Sequence, residues 1–77
     1  MRKKIKFQNA EEVMKFTTEI STLESDINIY DGTISFDAKS MIAMVNLDTN
    51  KTFEVEVVIK KESEQAIIEE IIARHTP

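Results

Sequence analysis

No cysteine occurs in the chain, which excludes disulfides, thiolate chemistry and Cys-based zinc sites. Glycine and proline each occur once, so no Gly-rich phosphate loop can be built and no Pro/Gly/Ser-rich linker divides the chain. Histidine also occurs once. Around it no Ser/His/Asp set, metal-spaced His/Asp/Glu set or acid/base pair can be defined, so no catalytic residue, metal site or cofactor is expected. The longest apolar run, MIAMV at 41–45, is far short of a membrane span. No secretory pattern of charged, apolar and cleavage regions is visible, so a cytoplasmic protein is expected. Positive charge is in deficit: a formal net charge of −4 argues against general affinity for nucleic acid. The one basic cluster, Arg2, Lys3, Lys4 and Lys6, reads as a solvated edge strand whose lysines discourage edge pairing, ahead of a phosphate or membrane site.

What is present reads as one folded domain over residues 1–77. The chain is 42% apolar, too apolar for a disordered segment and enough for a modest core. Lys3, Ile5 and Phe7 alternate with Lys4 and Lys6, which predicts a strand over residues 2–7. Val13, Phe16, Thr17 and Ile20 then recur at helical spacing, with Leu23 closing the stripe, so a helix is predicted from Ala10 to about Thr22. Asn9 and Glu12 stand three residues apart at its start and predict a capping box in which Glu12 returns a hydrogen bond. Residues 25–37 read as a hairpin with Asp31-Gly32 as its type I′ turn.

Ser40 is a good N-cap, and SMIAMVNL has room for about two helical turns. Phe53, Val55, Val57 and Ile59 alternate with Glu54 and Glu56 in the plainest strand of the chain. From Ser63 onward, Ile67, Ile68, Ile71 and Ile72 form a helical stripe that depends on docking to the sheet. Asp26, Asp31, Asp37 and Asp48 are scattered turn and strand-end residues, which do not make a calcium loop. Glu11, Glu12, Glu69 and Glu70 read as solvated helix faces. The order is strand, helix, strand, strand, short helix, strand, helix. Antiparallel strands with every helix on one face would bury all of these stripes in a single layer.

That order, with DAKSMIAMVNL between a hairpin and a charged alternating strand, resembles HPr, the histidine-containing phosphocarrier family of the bacterial sugar phosphotransferase system. The family's regulatory segment reads approximately K-S-[IL]-M-G-[VL]-[ML]-x-L, and Lys39-Ser40-Met41-Ile42-Ala43-Met44-Val45-Asn46-Leu47 follows it with Ala43 for the glycine. The resemblance implies an α+β open-faced sandwich, βαββαβα, with an antiparallel sheet in order 1-4-2-3 beneath three helices.

The family's catalytic motif reads G-[IL]-H-A-R-P-A. An ungapped count back from Ser40 sets its phosphorylated histidine at Asn9, its arginine at Glu11 and its proline at Glu12; only Ala10 agrees. An amide has no titratable nitrogen to accept a phosphoryl group. Glu11 would repel the phosphate that the family's arginine balances. A carrier role through this site is therefore not expected. His75 lies in the segment ARHTP, where the chain end is expected to fray and no positioned partner is apparent.

Ser40 matches the serine that a dedicated kinase phosphorylates in the family. Capping alone already accounts for a serine there, and regulation is the second reading. Lys39, Ser40, Met41, Ile42, Val45 and Leu47 would form a protein-binding patch, part of it exposed because a short helix cannot hide so many apolar side chains. The resemblance thus implies a monomeric binding or regulatory module without the active-site histidine. Its partners would be enzyme I, the HPr serine kinase or the catabolite-control regulator. Two other readings stay open: a carrier using another residue such as His75, and a ferredoxin-like ligand-binding domain.

Overall fold

The computed structural model describes residues 2–77. In chain order the elements are β1 (Arg2–Ile5), α1 (Ala10–Ile20), β2 (Asp26–Asp31), β3 (Ile34–Asp37), α2 (Met41–Met44), β4 (Phe53–Val58), a 3-10 turn at Glu62–Glu64, and α3 (Gln65–Ala73). The four strands form one sheet in the order β1-β4-β2-β3, every neighbouring pair antiparallel. This is the expected α+β open-faced architecture. Order 1-4-2-3 rules out a simple meander, since β4 is inserted between the first two strands.

The side-chain period of two sorts each strand into an inner and an outer row. Ile5, Ile27, Ile29, Phe53, Val55 and Val57 line the inner face and are buried. The helices contribute Val13, Phe16 and Ile20 from α1, Met44 from α2, and Ile68, Ile71 and Ile72 from α3 to the same core. Each large apolar side chain so buried stabilises the fold by about 1.5–3 kcal/mol. The outer face is polar. There the Arg2 guanidinium lies 3.8 Å from the Tyr30 ring centroid and within 3.8 Å of both Glu54 and Glu56. The Tyr30 hydroxyl donates to Glu56 Oε1 at 3.0 Å.

Several sequence expectations are corrected. Asp31 pairs with Ile34, so the hairpin loop is Gly32-Thr33 rather than Asp31-Gly32. Gly32 has φ 63° and no other described residue has positive φ. Positive φ at the first central position alone is the requirement of a type II′ turn, whereas type I′ needs it at both. Ile59 does not continue the inner row, because β4 ends at Val58; both residues are substantially exposed. Ile67 is 48% exposed and leaves the α3 stripe to Ile68, Ile71 and Ile72. The last helix starts at Gln65, after the 3-10 turn that holds Ser63. α2 is four residues long, about one turn where two were expected.

Glu64 is a buried carboxylate that no sequence pattern marked. Its Oε2 accepts from the Glu24 amide at 2.8 Å, and its Oε1 accepts from the Ser25 amide at 2.9 Å and the Ser25 hydroxyl at 2.8 Å. The Ser25 hydroxyl oxygen in turn accepts from the Lys60 amide at 3.0 Å. This network ties the link between α1 and β2 to the link between β4 and α3. The Glu24 N–H bond foremost, then the Ser25 bonds and Lys61, outweigh desolvation and hold the Glu64 carboxyl below the usual glutamate range.

Candidate functional site

Two regions carry the residues that the sequence singles out: the start of α1 and the start of α2. At α1, Asn9 is extended (φ −162°, ψ 174°) and its Oδ1 accepts from the Glu12 amide at 3.0 Å. The reciprocal bond differs from the expected one. Glu12 Oε1 accepts from the amide of Gln8 at 2.8 Å, one residue before the cap. Two backbone donors at this helix start are thus held by side chains of the same segment. The carboxylates Glu11 and Glu12 occupy the first turn, where the dipole favours them and where they oppose an incoming anion.

His75 is the main correction, because it is neither frayed nor alone. Its side chain is only 10% exposed. Its ring centroid lies 5.1 Å from Phe7 and 5.5 Å from Phe16, and these two phenyl rings meet edge-on at 5.2 Å. Its carbonyl accepts from the Lys6 amide at 2.9 Å, which extends the path of β1 onto the end of the chain. Its Nδ1 is buried, lies 3.5 Å from Glu12 Oε1 and makes no hydrogen bond among the described residues. Beside it Arg74 pairs with Glu19 at 2.8 Å. Glu12, Lys15, Glu19, Arg74 and His75 consequently line one shallow depression on the flank of α1. No pattern in the sequence marks this placement, because Phe7, Phe16 and His75 meet only in the folded chain.

At α2, Ser40 is the N-cap and its hydroxyl oxygen accepts from the Ala43 amide at 3.3 Å. The Ser40 amide donates to the Asp37 carbonyl at 3.0 Å, and the Lys39 amide donates to Asp37 Oδ1 at 2.9 Å. The loop before α2 is therefore an Asx turn that feeds the cap. Of the expected patch, Met41 (47% exposed), Ile42 (84%) and Val45 (56%) come together on the surface. Leu47 instead packs against the core, and Lys39 folds inward so that its Nζ donates to the Leu23 carbonyl. Met44 is fully buried and anchors the helix. The reason is one of geometry: a single turn has one inward position, and Met44 takes it.

Among the described residues no group of three or more His, Asp or Glu side chains is placed to hold a metal ion, and no helix is long and apolar enough to cross a membrane. A family model described as PTS HPr component, phosphorylation site, matches residues 8–75. No curated protein matches the chain.

Proposed function

The chain belongs to the HPr family of the phosphotransferase system, and we propose that within it the protein is a binding or regulatory module that carries no phosphate at the start of α1. The observation that carries this reading is the α1 capping box. An ungapped count from Ser40 sets the family's histidine at Asn9; the Asn9 amide oxygen accepts from the Glu12 amide, and Glu11 and Glu12 charge the turn negatively. The fold supplies the scaffold without a phosphoacceptor at that position.

Its working surface in this reading is Met41, Ile42 and Val45, exposed beside the N-cap Ser40. Its partners are phosphotransferase proteins: enzyme I, the serine kinase or the catabolite-control regulator. The protein acts as a cytoplasmic monomer. Phosphorylation of Ser40 would add negative charge at a helix start, which the local dipole tolerates. Residues 39–47 should shift in an NMR titration with at least one of these partners. No shift with any of the three counts against the reading.

A second reading has one observation in its favour, the placement of His75 against α1 beside Glu12. In that reading His75 accepts the phosphoryl group. The small exposure of its ring means that an incoming donor must first lift the chain end. Intact-mass analysis after incubation with phosphoenolpyruvate and enzyme I separates the two. The first reading requires no added phosphoryl group; one added group that disappears in His75→Ala overturns it.

A further inference from the structure

One peptide group, Leu23–Glu24, carries a charge at each end. Its carbonyl accepts from Lys39 Nζ, and its N–H donates to Glu64 Oε2 at 2.8 Å and to Oε1 at 3.1 Å. The peptide is trans, so these two groups point opposite ways. The ammonium thus faces the negative end of the peptide dipole and the carboxylate faces the positive end. Both ions are placed by their own backbone. Buried Ala38, beside Lys39, donates its amide to the Ile27 carbonyl at 2.9 Å, and the Lys39 amide donates to Asp37 Oδ1 at 2.9 Å. Glu64 is buried and donates its amide to the Lys61 carbonyl at 2.9 Å. Among the described residues neither Lys39 nor Glu64 forms a salt bridge. The Lys61 ammonium, 3.9 Å from Glu24 Oε2, adds a weaker attraction on Glu64.

We infer that this peptide couples the start of α2 to the start of α3, because each ion polarises it in the sense that strengthens the other's hydrogen bond. Removing the Lys39 charge therefore weakens the hold on Glu64, although the two side chains are joined only through the backbone between them. Lys39 stands directly before the N-cap Ser40 and the proposed working surface. A partner anion that draws its ammonium off the Leu23 carbonyl loosens the Glu64 clamp in the same step. This regulatory consequence rests on the docking reading above, whereas the coupling itself is tested without a partner.

The test is a double-mutant cycle with two NMR readouts. Lys39→Met keeps an unbranched stem and removes the charge, while Glu64→Gln keeps the size and one acceptor oxygen. Urea unfolding of the unaltered chain, the two single variants and the double variant is compared at neutral pH. The double variant's rise in unfolding constant should be at least about threefold smaller than the product of the two single rises. In Lys39→Met the Glu24 amide proton should move upfield, and in Glu64→Gln the Leu23 carbonyl carbon should move. Each of these shifts arises across the peptide from the substituted side chain. Lys39→Met leaves Glu64 in place, so it carries the shift test even if Glu64→Gln does not fold. Single effects that multiply to within about twofold of the double variant overturn the inference, as does a Glu24 amide proton that stays in place in Lys39→Met. Neither result alters whether residues 39–47 shift with enzyme I, so the docking reading is decided separately by its own titration.

Discussion

Replacing His75 by alanine removes a ring from an aromatic cluster two residues before the end of the chain. If that end were frayed, the substitution would cost almost nothing, since truncations at mobile termini are tolerated. The structure requires a measurable loss. The ring touches two phenyl rings, with centroids 5.1 and 5.5 Å away, and its side chain is 10% exposed. Each such aromatic pair contributes about 0.5–1.5 kcal/mol beyond area burial, so the lost contacts alone amount to about 1–3 kcal/mol. The 3.5 Å approach to Glu12 adds nothing to this figure, because it is not a hydrogen bond. For a domain of this size a loss of 1 kcal/mol lowers Tm by about 4–8 °C, so a fall of at least several degrees is expected. Urea unfolding at neutral pH should show a lower midpoint with an unchanged slope, the mark of a stability change without a change of compactness. His75→Phe keeps the packing and should recover most of the loss, because the bond to the Lys6 amide uses only the backbone. A cost below about 0.5 kcal/mol for His75→Ala would refute the docked chain end and with it the placement that favours the second functional reading.

Three further outcomes follow from the same contacts. Asn9→Ala should cost about 1 kcal/mol by leaving the Glu12 amide uncapped, while Asn9→Ser retains most of the stability; urea midpoints of the two variants decide it. Thr17 is buried and its hydroxyl has no partner among the described residues, so Thr17→Val should raise stability by about 1 kcal/mol, and a lower midpoint would mean that the hydroxyl finds a partner in solution. Glu64 ionises more readily when folded than at its ordinary value of 4.5. Its contribution is therefore complete above that ordinary value and is lost as pH falls through the lower folded-state value. Glu64→Gln should lower Tm at neutral pH and flatten the fall of Tm toward acid, and an identical pH profile in the variant would exclude the clamp.

The periodic elements were legible because periodicity is a direct trace of a one-sided core. Val13, Phe16, Thr17 and Ile20 are the buried residues of α1, as their spacing requires, and Phe53, Val55 and Val57 are the buried row of β4. The cap residues Asn9 and Ser40 were legible too, since a cap is satisfied within three residues of chain. Where an element ends was less legible. Ile59 and Ile67 continue their patterns in sequence and leave the core in space, because the strand stops and the helix rotates past its contact. The hairpin shifted by one residue because strand pairing sets the register, and a single glycine satisfies a type II′ turn as well as half of a type I′ turn.

By itself, then, the amino-acid order determined the α+β class, the core-facing rows and the two helix caps, Asn9 and Ser40. These depend on residue type and local spacing. Tertiary structure alone decided what lies far apart in the chain and close in space. It brought Glu64 to the amides of Glu24 and Ser25, carried His75 onto Phe7 and Phe16, and led the Lys39 ammonium, expected in the patch, to the Leu23 carbonyl. A lone histidine or glutamate has no period, so its partners are set only when the sheet and helices close around it.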